Sequence, residues 1–203
     1  MKIIGLTGGI GMGKSTFTNL ISRSTNVSVF DSDREIHDLY RENDNVKKFI
    51  REKFPTAFDS SRGIVNRTIL GDLVLGDDDK LQELNNTLLH CFDIELFFHL
   101  TNQRYIYRSK TVIIDMPLLL QSHWKKMCDY IVVVTCSEET QRKRVFARDE
   151  HMTEERFANI LKRQLPNAER LAQADYVIDT DLSMGATERQ IFKLIEELGL
   201  DRE

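Results

Sequence analysis

Five short, mainly apolar segments recur along the chain, and segments of helical pattern separate them. The apolar segments are Ile3–Thr7, Val27–Phe30, Thr111–Asp115, Tyr130–Val134 and Ala174–Asp179. Runs of this kind are typical of strands that are buried on both faces of a parallel sheet. The alternation therefore predicts a three-layer α/β domain, in which a five-stranded parallel sheet with right-handed crossovers carries helices on both faces.

Residues 45–108 interrupt this alternation, because no buried strand pattern appears there. Pro55 and the run Asp59–Gly63 predict a turn between helical pieces. Apolar side chains spaced by three and four then predict one long amphipathic helix whose stripe is packed. The stripe consists of Leu81, Leu84, Leu88, Phe92, Leu96 and Leu100. We therefore expect a helical insert within a single domain.

A second departure is a concentration of basic side chains at residues 139–165, on two predicted helices with a break near Met152. The polar side chains of this segment include Gln141, Arg142, Lys143, Arg144, Arg148, Arg156, Lys162, Arg163 and Gln164. Guanidinium groups match phosphate oxygens, so the segment fits a lid that closes over a polyphosphate. A solvated helix face is the alternative. The rest of the chain, about residues 1–44, 109–138 and 166–203, is predicted to form the core of the domain.

The loop after the first predicted strand contains a phosphate-binding motif. Residues Gly8–Ser15 match G-x-x-x-x-G-K-[ST], with a strand before them and a predicted helix after them. Glycines allow close backbone approach, successive N–H groups bind an anion, Lys14 adds a positive charge, and Ser15 can ligate Mg²⁺. The motif predicts a nucleoside triphosphate site. Its residues are Gly9, Gly11, Met12, Gly13, Lys14, Ser15 and Thr16.

Carboxylates follow two other predicted strands at the edge where α/β sheets bind ligands. Asp31 and Asp33 come directly after the second strand, and Asp115 ends the third. Asp115 is in the position of a carboxylate that holds Mg²⁺ together with Ser15, and the alternative is a polar strand terminus without that role. Asp33 could take part in the chemistry, cap the following helix, or do both.

Composition narrows the class of protein. The chain has 203 residues, 41% of them hydrophobic, and a formal net charge of −4, which argues against a general nucleic-acid or membrane-surface binder. Its three cysteines are widely spaced in apolar segments, which fits buried thiols in a reducing compartment. The histidines show no metal-ligand spacing. No signal segment or membrane span is apparent, so we expect a cytoplasmic protein.

Taken together, the motifs resemble the dephospho-coenzyme A kinase family over nearly the whole chain. The resemblance is carried by Leu6–Ser15, Asp31–Asp33, Arg67, His90, Pro117–Leu119, Gln141, Arg144, Arg148, Gln164 and Ala174–Ile178. It implies that ATP, with Mg²⁺, phosphorylates the ribose 3′-hydroxyl of dephospho-coenzyme A, the last step of coenzyme A biosynthesis. It also implies that Asp33 is the base and that the insert binds the acceptor.

The resemblance assigns further roles by position. Lys14 and Arg144 join Asp33 as catalytic residues, and Arg148 joins the ATP site. The acceptor is bound by Asp31, Asp33, Arg67, His90, Leu118 and Gln164. Four positions depart from the family pattern: Met12 stands where serine is usual, Cys91 where proline is usual, Gln121 where glutamate is usual, and Thr180-Asp181 in place of an Asn-rich end.

Other functions remain open at this point. The loop and the basic segment alone do not name the acceptor, so a nucleoside monophosphate kinase or a sugar-acid kinase has the same features. A GTPase-type switch predicts an N-K-x-D motif, which the chain lacks. A nucleotide-binding module without activity is disfavoured by the intact Lys14, Ser15, Asp33 and Asp115. The oligomeric state is not predicted.

Overall fold

The computed structural model describes residues 1–74 and 77–200. The strands are β1 (Lys2–Thr7), β2 (Ser28–Asp31), β3 (Phe58–Asp59), β4 (Ile64–Val65), β5 (Thr111–Asp115), β6 (Tyr130–Thr135) and β7 (Tyr176–Asp179). The helices are α1 (Lys14–Ser24), α2 (Ser32–Glu42), α3 (Asp44–Lys53), α4 (Arg67–Val74), α5 (Asp78–Tyr105), α6 (Glu138–Arg148), α7 (Glu154–Lys162), α8 (Asn167–Leu171) and α9 (Met184–Glu197). Short 3₁₀ turns occupy Pro55–Ala57, Leu119–Gln121 and His123–Met127.

A five-stranded sheet in the order β2-β5-β1-β6-β7 forms the centre of the fold. Strand β1 pairs in parallel with β5, where Leu6 is opposite Asp115, and with β6, where Leu6 is opposite Val132. Strands β6 and β7 are parallel as well. The predicted α/β class and the five-stranded parallel sheet are confirmed.

The core of the larger compact unit, residues 1–30 and 103–203, lies between this sheet and helices α1 and α9. Its buried members are Ile4, Leu6, Phe17, Ile21, Ile113, Val132, Val134, Ile178, Ile191, Leu194, Ile195, Leu198 and Leu200. Val132 and Val134 alternate with equally buried Ile131 and Val133, as expected for a strand covered on both faces. This packing fixes the strand ends from which the functional loops leave.

Residues 31–102 form a second compact unit, in which α2 packs against α3 and β4. Its helices begin at side-chain caps: the Oδ1 atoms of Asn43, Asn66 and Asp77 accept backbone N–H groups of the first turns of α3, α4 and α5. The predicted insert began at residue 45, whereas this unit also includes α2. The assignment of residues 45–108 to acceptor binding stays a prediction.

Two expectations for this region were wrong. A short antiparallel hairpin, β3 with β4, occurs where only helices were expected, and the predicted turn at Asp59–Gly63 connects its strands. The turn is held by the Asp59 carboxylate, which accepts the N–H groups of Ser61 and Arg62, and by the left-handed Gly63. Leu81 is 40% exposed, because it lies in the first turn of α5, before the packed part of the stripe begins at Leu84.

The cysteines are free thiols, of which Cys91 and Cys136 are buried and Cys128 is half-buried. Burial raises the pKa of all three, that of Cys128 to about 11 with a further contribution from Asp129. Protonated thiols of this kind behave as small apolar side chains. Within residues 1–74 and 77–200, no helix is both long enough and apolar enough to cross a bilayer.

Two phenylalanines of α5 provide a matched test of how the apolar stripe of this helix is packed. Phe92 is 2% exposed and Phe97 is 64% exposed. We expect Phe92→Ala to lower the free energy of unfolding by about 3–5 kcal/mol, because it leaves a cavity, and Phe97→Ala to change it by less than about 0.5 kcal/mol. Urea unfolding followed by circular dichroism measures both. Equal losses would show that the stripe of α5 is not packed as described.

Candidate active site

The phosphate-binding loop connects β1 to α1, and its backbone geometry depends on glycine. Gly11 and Gly13 have φ angles of +73° and +96°, which side-chain-bearing residues rarely adopt. Gly13 is also the N-cap of α1 and provides no side-chain cap. The first N–H groups of α1 are therefore left for an anion at the positive end of the helix dipole.

Close packing explains further glycines of the loop. A Cβ atom on Gly8 would lie 2.6 Å from the carbonyl oxygen of Val134, and one on Gly11 would lie 2.6 Å from Cγ2 of Val145. The loop is thus pressed against β6 on one side and α6 on the other. An alanine at either position requires the loop or its neighbours to move.

Lys14 and Asp115 lie together at the base of this loop. Lys14 Nζ is 3.6 Å from Asp115 Oδ1, and Asp115 is buried at the end of β5, opposite Leu6 of β1. The separation is longer than a good hydrogen bond, so the attraction is mainly electrostatic. Ser15 is the next residue on α1 and is exposed. The predicted lysine and carboxylate are therefore neighbours.

Two glutamines bracket the peptide groups of Ile10 in this loop. Gln141 Nε2 of α6 donates to the Ile10 carbonyl oxygen at 2.8 Å, and Gln164 Oε1 accepts the Ile10 N–H at 3.2 Å. Gln164 was predicted to bind the acceptor, and that role stays a prediction. In this structure its side-chain oxygen is used to hold the phosphate-binding loop.

Arg144 is tied to the same loop through Thr180. Its guanidinium donates to the hydroxyl oxygen and to the carbonyl oxygen of Thr180, at 2.8 and 2.7 Å. The Thr180 hydroxyl in turn lies 2.9 Å from the Met12 carbonyl oxygen, to which it donates. Arg148 is exposed in the last turn of α6. The structure thus places Arg144 beside the loop and Arg148 at the surface.

Arg170 is a residue that the sequence analysis missed. It is 5% exposed, and its Nη2 lies 3.4 Å from Met12 Sδ and 3.2 Å from Asn167 Oδ1. A Cβ atom on Gly9 would lie 3.0 Å from both of its terminal nitrogens. No pattern in the sequence distinguishes Arg170, because it belongs to a five-residue helix, α8, whose contact with the loop spans more than 150 positions.

In the second unit, Asp31 caps α2 and Asp33 does not. Asp31 Oδ1 accepts the backbone N–H groups of Asp33 and Arg34 at 3.0 and 3.1 Å. Asp33 lies in the first turn of α2 and is exposed. The alternative that Asp33 serves as the helix cap is therefore wrong, and its carboxylate is accessible from solvent.

A cavity of about 480 Å³ lies within the second unit, lined by Ile36, Tyr40, Arg67, Leu70, Leu84, Asn85, Leu88 and Leu89. Arg67 Nη1 contacts the ring nitrogens of His37 at 2.7 Å, and the guanidinium lies 5.5 Å from the centre of the Tyr40 ring. Burial raises the pKa of Tyr40, against an opposing effect of Arg67. His90 is exposed on α5 and does not line this cavity.

The predicted metal ligands, Ser15 and Asp115, do not belong to a cluster of metal-binding side chains among the described residues. In the described part of the chain, no three His, Cys, Asp or Glu side chains are grouped so that they could hold a metal ion. Ser15 and Asp115 offer a hydroxyl and a carboxylate. Mg²⁺ binds a small number of such oxygen donors together with substrate phosphates and water.

Leu118, which was predicted to bind the acceptor, lies after β5, and 46% of it is exposed.

Comparison with known proteins assigns the arrangement to a family. The sequence profile of the dephospho-CoA kinase family matches residues 2–185. The chain belongs to this family. The dephospho-CoA kinase of Bartonella henselae is 35% identical over 198 residues, and that of Rhizobium meliloti is 36% identical over 203 residues; each alignment covers 98% of both chains. A crystallised protein of Thermus thermophilus has a TM-score of 0.80 at 27% identity over 97% of both chains.

Family membership confirms the resemblance inferred from the motifs. It also makes the chain an ATP-dependent kinase, a phosphotransferase of the coenzyme A pathway that uses ATP as phosphoryl donor.

The loop geometry generates a prediction for Lys14. We expect Lys14→Ala to lower kcat on the order of 10²–10³-fold with the fold intact, because one electrostatic contact to the transferring phosphoryl group is typically worth ~3–4 kcal/mol. Lys193→Ala is the control, since Lys193 is an exposed lysine of α9. ADP formation and circular dichroism measure activity and fold. A Lys14 variant with near-normal turnover would remove this residue from the mechanism.

Proposed function

We propose that the chain transfers the γ-phosphoryl group of Mg²⁺-ATP to the ribose 3′-hydroxyl of dephospho-CoA, giving CoA and ADP, with the residues placed above in defined roles. The observation that carries this proposal is the placement of Lys14 beside Asp115 at the base of a glycine loop whose helix N-terminus is uncapped. Family membership supplies the acceptor.

The loop's part is to bind and orient the polyphosphate. The N–H groups at the start of α1 bind phosphate oxygens of the nucleotide, and Lys14 neutralises negative charge on the β- and γ-phosphates. Phosphoryl transfer depends mostly on positioning and electrostatic stabilisation, so a rigid cradle is the main requirement. The bracketing of Ile10 by Gln141 and Gln164 supports this rigidity.

The metal is proposed to be held by Ser15 and Asp115. Their hydroxyl and carboxylate fit Mg²⁺, which prefers oxygen ligands and keeps several waters. Mg²⁺ held by these two residues would neutralise negative charge on the phosphates. Asp115 also attracts Lys14 across 3.6 Å, so this carboxylate keeps the ammonium group at the base of the loop.

Asp33 is proposed as the general base. The acceptor oxygen forms its bond to phosphorus, the bond to the bridging oxygen of ADP breaks, and the proton of the 3′-hydroxyl passes to the Asp33 carboxylate. Its exposure in the first turn of α2 supports the assignment, because an accessible carboxylate that is not used in capping can accept a proton. Arg144 and Arg148 are proposed to stabilise the phosphates.

The acceptor is proposed to bind in the second unit, with Asp31, Arg67 and His90 among its contacts. Leu118 and Gln164 are the other acceptor contacts that the family resemblance implies. The cavity beside Arg67 and Tyr40 combines a cation with aromatic and aliphatic walls, which suits a ligand that carries both phosphate and apolar groups.

We also propose a cytoplasmic location, since free thiols fit a reducing compartment.

The proposed reaction is tested with purified protein, Mg²⁺-ATP and a set of acceptors. We expect ADP release with dephospho-CoA and none above background with nucleoside monophosphates. The position of the new phosphate is read by phosphorus NMR of the product. Preferential use of a nucleoside monophosphate would establish the rival kinase function, and omission of Mg²⁺ is expected to abolish turnover.

Asp33→Asn tests the proposed base. We expect kcat to fall about 10²–10⁴-fold, the usual value of general-base assistance, with little change in ATP affinity or thermal stability, because Asp31 provides the cap. Asp44→Asn is the control, because Asp44 is likewise an exposed aspartate in the first turn of a helix, α3, and has no proposed role in the reaction. If Asp33→Asn retains full activity, the base must be sought elsewhere, with Asp115 the next candidate.

The basic segment, residues 139–165, is predicted to act as a lid. Arg144 is bonded to Thr180 here, so contact with the phosphates requires it to exchange those hydrogen bonds. We expect ATP together with dephospho-CoA to slow hydrogen exchange across residues 139–165. Exchange across α9 serves as the internal control. Unchanged exchange in the basic segment would leave it a solvated helix face.

A further inference from the structure

Arg170 is a buried cation without a buried anion. Its side chain is 5% exposed, and within residues 1–74 and 77–200 no carboxylate forms an ion pair with it. Its Nε atom is fully buried and lacks a hydrogen-bond partner. Its hydrogen-bond acceptors are Met12 Sδ and Asn167 Oδ1, both neutral. Burying a guanidinium is unfavourable unless its charge is balanced, so this arrangement requires an explanation.

The surroundings of Arg170 are those of the phosphate-binding loop. Both terminal nitrogens lie 3.0 Å from the position that a Cβ atom would take on Gly9, so a side chain at this position would press against the guanidinium. Met12 Sδ accepts the Gly9 N–H at 3.3 Å as well as the Arg170 contact at 3.4 Å. The sulfur therefore joins the arginine to the loop backbone.

The same Nη2 atom is also linked to β6, through Asn167. Asn167 accepts from Arg170, and its amide group donates to the Thr135 hydroxyl at 3.0 Å. Thr135 is the last residue of β6, an interior strand that lies between β1 and β7. The charge is thus held in one place and cannot swing out to solvent without breaking contacts to Met12 and Asn167.

We propose that Arg170 is a positioning residue for the triphosphate: from behind the loop its fixed charge attracts the polyphosphate, and through Met12 and Gly9 it holds the loop in its binding conformation. The bound polyphosphate then supplies the negative charge that the buried guanidinium lacks. Burial lowers the pKa of Arg170, yet an arginine stays protonated at neutral pH, so the charge is always present. The inference rests on the nucleotide-binding part of the proposed function.

Binding measurements can distinguish an electrostatic role of Arg170 from a purely structural one. An electrostatic effect increases with the number of phosphate charges on the ligand and weakens as salt is added. A brace that only maintains the fold affects AMP, ADP, ATP and inorganic tripolyphosphate by similar factors. The ligand series therefore separates the two roles without any phosphoryl acceptor.

The experiment compares Arg170→Gln, which retains hydrogen-bond donors and loses the charge, with Arg170→Lys, which retains the charge. Arg189→Met is the control, because Arg189 is an exposed arginine of α9. Binding of the four ligands is measured by titration calorimetry in the absence of dephospho-CoA, and each fold is checked by circular dichroism. For Arg170→Gln we expect roughly a tenfold loss for tripolyphosphate and ATP, a smaller loss for ADP and almost none for AMP.

Arg170→Lys is expected to stay within about threefold of the original protein for every ligand. Equal losses of AMP and ATP in Arg170→Gln, or unchanged tripolyphosphate binding, would overturn the proposal. If Arg170→Gln does not fold, a large loss of tripolyphosphate binding in folded Arg170→Lys overturns it, and retained binding supports it. Failure to phosphorylate dephospho-CoA by a protein that binds tripolyphosphate would instead refute the proposed function and leave this inference in place.

Discussion

The candidate active site depends on the backbone conformation of the phosphate-binding loop. A loop of this kind directs several N–H groups to one point, where they cannot bond to one another. Left-handed Gly11 and Gly13 make the geometry possible, but permissive residues also allow alternatives. Contacts from outside the loop must therefore select this conformation. Here they come from Gln141, Gln164 and Thr180, each bonded to a backbone group of the loop.

These contacts link loop geometry to the basic segment. Gln141 and Arg144 are one turn apart on α6. Gln141 is hydrogen-bonded directly to the loop, and Arg144 is connected to it through Thr180. A movement of α6 that brings Arg144 toward a phosphate must also displace the hydrogen bond between Gln141 and Ile10, unless that side chain adjusts. The conformation of the loop and the position of α6 are therefore linked through a few identifiable hydrogen bonds.

The sequence was most informative where the determining interactions are local. Continuous apolar runs located all five strands of the main sheet, and the glycine-lysine-serine pattern located the loop, because each depends on neighbouring residues. The hairpin of β3 and β4 was missed because two-residue strands leave no periodicity to detect. Asp33 was considered as the cap of α2, and only the backbone geometry shows that Asp31 takes this position.

Long-range contacts within the site were beyond sequence reasoning for a different reason. Gln141 and Gln164 stood out as polar residues of a basic segment, yet nothing in their spacing indicates that both reach Ile10. Arg170 is separated from Met12 by 158 positions, and its burial follows from how α8 packs beside β6. A charged residue in a polar stretch is normally solvated, so pattern analysis assigns it to the surface.

Two of the departures from the family pattern, at Met12 and Thr180, can be explained by the same contacts. Met12 stands where serine is usual, and its thioether reaches both the Gly9 N–H and Arg170, which a serine side chain is too short to do in the same way. Thr180, where an asparagine-rich end is usual, offers one hydroxyl that bonds the Met12 carbonyl oxygen and accepts from Arg144. The two departures meet at one residue of the loop. Substitutions at positions 12 and 180 are therefore expected to be non-additive, as they are for side chains that share a contact network.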